Sequence, residues 1–178
     1  MKKRPWIVFC LAAFFAGLSG QMTAFGLDAA YDVLSTDTLT VGRLGHGSSQ
    51  SSQTFTLRDD GTWDLFDGTY HYTGTYTPVN NGKQIALTLD ANGLSAVESN
   101  MFDNIQRLAA DDGVSLDNLS VSVQSVKITN ITMKKGVPYK ATSTVRGKAT
   151  AIVNGRFYSE SFTQKSVKTN WTLVSGGN

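Results

Sequence analysis

Apolar side chains recur at every second position through the first half of the chain: Leu39 and Val41, Phe55 and Leu57, Trp63 and Leu65, Tyr70, Tyr72 and Tyr76, then Ile85, Leu87 and Leu89. A period of two puts one row on each face of an extended chain, so each run predicts a half-buried strand. Asp60-Gly61, Asp67-Gly68 and Asn81-Gly82 separate the runs. Such pairs accept the positive φ of tight hairpins, and strands joined this way follow one another as an antiparallel meander. One stretch falls outside the pattern. Residues 45–53, GHGSSQSSQ, carry no apolar side chain and read as a mobile loop.

The period changes once. Ser95 and Glu98 have the spacing of a capping box, and Val97, Met101, Ile105, Leu108 and Ala109 then recur at intervals of three and four. Asp103 and Arg107 pair on the opposite face, and Gly113 stands where the helix would stop. An amphipathic helix over about 95–111 is predicted. From Leu119 the strand period returns in three phases, Leu119 to Val123, Val126 to Ile128 and Ile131 to Met133, and the two slips predict bulges in a long bent strand. After a turn at Lys135-Gly136, residues 139–153 alternate without a slip. Tyr139, Ala141, Ser143, Val145, Gly147, Ala149, Ala151 and Val153 face one way; Lys140, Thr142, Thr144, Arg146, Lys148 and Thr150 face the other. Asn154-Gly155 opens the return strand, on which Val167, Thr169, Trp171 and Leu173 share a face.

These elements define a mainly β fold: an antiparallel meander of about eight strands forming a small barrel or strongly curved sheet, with the one amphipathic helix packed on or in it. The inward row Ala141, Ser143, Gly147, Ala149 and Ala151 is made of small residues, so it leaves space that the helix or a ligand must fill. The helix needs a partner for its apolar face and is the expected filling. A residual pocket between helix and sheet, lined by Tyr70, Tyr72, Tyr76, Met101 and Trp171 beside Ala149, is the candidate binding site for a small apolar molecule.

Composition adds a compartment. Lys2, Lys3 and Arg4 precede an apolar run from Trp6 to Leu18, the layout of an export signal, with cleavage expected after Gly20 or Gly26. Residues 27–178 then form a single domain, expected in a bacterial periplasm or secreted. Cys10, the only cysteine, lies inside the run behind Phe9, which is not the setting of an acylated cysteine. Without it the domain has no disulfide, thiol nucleophile or thiolate metal site. Charge is uneven: residues 27–117 hold 4 Lys/Arg against 13 Asp/Glu, and residues 118–178 hold 9 against 1. Acidic and basic strands lying side by side in one closed sheet would account for this; a basic face for an anionic surface is the functional reading.

The hairpin from Phe55 to Trp63 (FTLRDDGTW), the Gly74-Thr75-Tyr76 strand and the strand over residues 83–90 resemble the lipocalin-like group of small exported bacterial β-barrels, across roughly half of the domain. That resemblance implies carriage of a small apolar molecule inside the barrel.

Catalytic chemistry is hard to place on this sequence. His46 falls in the low-complexity stretch and His71 on the strand face opposite the tyrosines, and neither has a carboxylate at metal-ligand spacing. Asp59, Asp60, Asp64 and Asp67 read as turn residues, not as a calcium loop, and Gly42 to Gly47 lacks the Lys-Ser/Thr pair of a phosphate loop. No catalytic residue, metal or cofactor is therefore expected, and no nucleic-acid partner. An outer-membrane barrel is disfavoured by short early strands and outward Lys and Arg. The expected function is that of an exported, non-enzymatic binding module with a small apolar ligand between helix and sheet. The alternative is a cell-envelope structural or interaction protein that turns a basic row, Lys140, Arg146, Lys148, Arg156, Lys165 and Lys168, towards an anionic envelope polymer.

Overall fold

The computed structural model describes residues 28–176, so the export signal expected over 1–26 lies outside the described residues. A first long hairpin joins β1 (Ala29–Val41) to β2 (Gly45–Leu57) through a single turn of 3-10 helix, Gly42–Leu44. The meander continues with β3 (Thr62–Phe66), β4 (His71–Val79) and β5 (Gln84–Leu89). Helix α1 (Ala91–Asp111) follows, then β6 (Asp117–Ile128), β7 (Ile131–Lys134), β8 (Val137–Val153) and β9 (Arg156–Gly176). All pairings are antiparallel. β6 and β7 lie end to end along one edge of β8, and β9 pairs with both β8 and β1, which closes the sheet into an eight-stranded barrel.

The hairpin signals hold. Asn81-Gly82, Lys135-Gly136 and Asn154-Gly155 all take positive φ, for example 51° and 74° at the last pair. The two slips of phase after Leu119 are also present: a register shift between Val123 and Ser125, and the break between Ile128 and Ile131. The acidic and basic halves of the sequence meet at two seams, β1 against β9 and β5 against β7. Exposed positions such as Ser48, Ser52, Thr75, Thr77, Thr88 and Lys148 put polar and charged side chains on the outer wall. Among the described residues, no helix is long and apolar enough to cross a membrane.

Three expectations are corrected. Residues 45–53 are not a loop: β2 begins at Gly45 and pairs with β1 in unbroken register from Val41↔Gly45 to Ala29↔Leu57. A ladder is made by backbone groups, so a Ser/Gly/Gln segment joins it once β1 supplies an edge. The helix begins at Ala91, four residues before Ser95. Its cap is Asp90, whose carboxylate accepts from Gly93 N at 2.7 Å and from Thr73 Oγ1 at 2.8 Å. Tyr139 does not join the inward row of β8; it is 59% exposed, because a register shift between Thr132 and Met133 changes the phase ahead of Ala141.

The barrel interior contains two apolar clusters. One gathers Tyr31, Val33, Phe55, Leu57, Trp63, Tyr76, Ile85 and Ile131. The other gathers Leu39, Val41, Val145, Ala149 and Phe162 around the helix residues Val97, Met101 and Ile105. β5 meets β7 through Gln84↔Thr132 and Ile85↔Ile131, and β8 is the partner of β6. Helix α1 packs beside the barrel against β4, β5 and β6, where the wall is least complete.

Candidate functional site

Between the clusters the interior is polar. The buried polar side chains are Ser35, Gln53, Gln164 and Ser166, and strand register explains why they converge. Ser35 of β1 stands between Ser51 of β2 and Lys168 of β9; Asp37 stands between Ser49 and Ser166; Leu39 lies beside Gln164. β9 places Phe162, Gln164, Ser166 and Lys168 at every second position, and its next inward side chain is Trp171, three residues on. A bulge makes that odd step. Asn170 takes a φ of 55°, and the partners of β9 jump from Leu34↔Thr169 to Asp32↔Thr172.

This polar belt forms one wall of a cavity of about 410 Å³, within the usual size of small-molecule sites. Phe55, Trp63 and Trp171 line it from the first cluster. The Phe55 ring lies 6.0 Å from Trp63 and 5.4 Å from Trp171. Tyr72 and Met101 close it on the side of the helix. The exposed lining residues Ser49, Gln50, Thr69, Asp103 and Arg107 mark the mouth, between β2, the β3–β4 turn and α1.

Asp67 organises the mouth. Its Oδ1 accepts from Thr69 N and Tyr70 N at 2.9 and 2.8 Å; its Oδ2 accepts from Tyr72 Oη at 2.7 Å and from Asn100 Nδ2 at 3.4 Å. Tyr70 Oη donates to Asp103 at 2.5 Å, a second tie from the turn to the helix. Burial, and then the bond to the Asp67 carboxylate, hold the Tyr72 phenol protonated far above its ordinary range. Burial lowers the pKa of the Lys168 amine, against the pull of Asp37 and Asp67.

The belt also contains polar atoms without partners. Gln53 Oε1, Gln164 Oε1 and Trp171 Nε1 are buried and make no hydrogen bond among the described residues. Gln53 and Gln164 are only 7% and 8% exposed. Trp63, by contrast, donates its Nε1 to the carbonyls of Thr75 and Thr88 at 3.0 and 3.2 Å.

Of the six residues expected at the site, Tyr70, Tyr72, Met101 and Trp171 line this cavity. Tyr76 packs in the first cluster with its hydroxyl on the Arg58 carbonyl at 2.7 Å, and Ala149 packs against the helix; neither is in the cavity wall. Sequence reasoning missed Gln53, Gln164, Ser166 and Lys168. Lys168, expected in the outward basic row, instead lines the cavity, half-buried. The available signal was its even spacing from Phe162. Asp103 bonds Tyr70, and Arg107 donates to Asn104 Oδ1 at 3.0 Å, so the expected pair between them is replaced by other partners. His71 is exposed, as expected, and sits on Asp64 at 3.0 Å and on the Phe66 ring at 4.5 Å. Asp60 and Asp67 serve their turns, accepting from Thr62 N and Thr69 N. Among the described residues, no group of three or more His, Cys, Asp or Glu side chains is placed to hold a metal ion.

Compared with protein-family models, curated proteins and solved structures, the chain gives no match.

Proposed function

We propose that this protein is an exported, non-enzymatic carrier or sensor that holds one small amphipathic molecule inside its barrel, in the manner of lipocalin-like proteins. The observation that carries the reading is the cavity of about 410 Å³ whose lining combines aromatic side chains with residues that carry buried polar atoms without partners. A buried donor or acceptor left unmade is destabilising by about 1–3 kcal/mol, so a wall with three of them is a poor core and a good binding surface. The ligand is amphipathic, not purely apolar, because a hydrocarbon alone would leave those atoms unpaired.

Native and denatured mass spectra of the protein purified from its producing cell test this. An added mass in the native spectrum that is lost on denaturation is the expected result. The same unadorned mass in both, with no uptake of any amphiphile offered afterwards, would sink the proposal.

A second reading rests on the outer face of β6, β8 and β9. Lys127 and Lys165 flank Thr144 there, with Arg146 and Lys148 on the same strand as Thr144, all exposed. Such a row would contact an anionic polymer through counterion release, and retention on a polyanion column would then fall steeply with salt. Retention that salt leaves unchanged would exclude it. Lys168 takes no part in this face.

A further inference from the structure

We infer that the molecule held in the cavity is a carboxylic acid with an apolar body, its carboxylate bound by Lys168 and Trp171. The inference rests on the carrier reading and narrows it to one head-group chemistry.

Along the cavity wall the carboxylate acceptors hold partners and two donors do not. The acceptors of the mouth are already engaged: Asp67 takes four hydrogen bonds from the protein, Asp103 takes the Tyr70 hydroxyl, and Asp37 accepts from Ser35 Oγ at 3.3 Å. Two donors are not engaged. Trp171 Nε1 is buried without an acceptor, and Lys168 has no carboxylate within salt-bridge distance among the described residues, where the ion pairs are Arg43–Glu160 and His71–Asp64. The unpaired oxygens of Gln53 and Gln164 do not discriminate, because an amide can turn either its oxygen or its nitrogen towards a head group. Lysine and indole can only donate. A ligand amine would therefore meet two groups it cannot bond, and a ligand carboxylate meets two that need it.

Position supports the same assignment. Lys168 and Trp171 stand on either side of the Asn170 bulge, and both line the cavity. Trp171 also belongs to the aromatic group with Tyr31 and Phe55. A head group placed there has the rings of the first cluster beside it for its apolar body. Asp37 and Asp67 neighbour the amine without pairing with it, so they oppose part of the effect of its burial and do not occupy it.

The test is calorimetric titration of the protein with decanoic acid, 1-decanol and decylamine, after refolding from denaturant to remove any co-purified ligand. Decanoate is expected to bind at least about tenfold tighter than either of the others, the usual worth of a charge-assisted bond. Lys168→Met should abolish that preference by weakening decanoate, Lys168→Arg should retain it, and Trp171→Phe should reduce it severalfold. Near-UV circular dichroism checks that each variant keeps the native barrel, and Lys168→Gln replaces the Met variant should that one not fold. Equal binding of acid and alcohol, insensitive to Lys168→Met, would overturn the acid assignment and leave the carrier reading standing. So would tightest binding of the amine. Failure of all three to bind, with a ligand-free native mass, would remove both.

Discussion

Lys168 and Trp171 are three positions apart, and the left-handed φ of 55° at Asn170 between them allows both to face inward. Asparagine tolerates that conformation, whereas a β-branched side chain does not. Asn170→Val is accordingly expected to lower stability by about 1–2 kcal/mol in urea unfolding, and Asn170→Gly to change it little. The buried glutamines work against stability. Gln53→Leu and Gln164→Leu each remove an unpaired carbonyl, and each should raise the unfolding free energy by roughly 1 kcal/mol while weakening ligand retention. Lys168 adds a pH signature. Its folded pKa is lowered from an ordinary 10.5, so between the two values the unfolded chain binds more protons and stability rises with pH. Tyr72 acts in the opposite sense, since its folded pKa is raised and stability falls as pH climbs past the ordinary value of 10.0. Stability measured against pH should therefore rise on the alkaline approach to about 10 and turn down beyond it; Lys168→Met should flatten the rise, and Tyr72→Phe should soften the fall.

Helix α1 is held at its start by geometry and along its length by the cavity mouth. Gly93 presses against the Thr73 carbonyl so closely that a Cβ there would overlap it. Asp90 caps the first turn, and Asp90→Ala is expected to reduce stability by about 1 kcal/mol in thermal or urea unfolding. Bonds from Gly93 N and then Thr73 hold the Asp90 carboxyl below its ordinary 3.8, so this contribution is present above that value and is lost as pH falls below it. Further along, Tyr70–Asp103 and Asn100–Asp67 tie the helix to the β3–β4 turn. These ties span the mouth, so loosening them should free the helix without opening the barrel. Tyr70→Phe is expected to speed amide hydrogen exchange over residues 97–107 and leave β8 and β9 amides protected. Equal acceleration in both would mean that helix and barrel open as one unit.

For the whole molecule the decisive feature is closure, because β9 pairs with β1 over one edge and with β8 over the other. Phe162, on β9 and 2% exposed, joins that seam to the helix cluster. Phe162→Ala should cost about 3–5 kcal/mol, read as a lower denaturant midpoint of a single transition. Much of the architecture was legible beforehand. Alternation of apolar residues, the Asn-Gly and Lys-Gly turns and the 3.6-residue period of Val97, Met101 and Ile105 are local signals, since each depends on neighbours a few positions away. They determined the strands, their antiparallel order and the helix between β5 and β6, and they drew Tyr70, Tyr72, Met101 and Trp171 towards one site. What they do not contain is the partner of each edge. Gly45 to Gln53 becomes a strand only because β1 offers it a ladder, and Lys168 turns inward because its row parity follows Phe162, with the Asn170 bulge then bringing Trp171 to the same face. The polar belt of the cavity is built from these residues, drawn from β1, β2 and β9. Its composition was decided by tertiary register, because side-chain period tells which residues share a face and only the pairing of distant strands decides what that face meets.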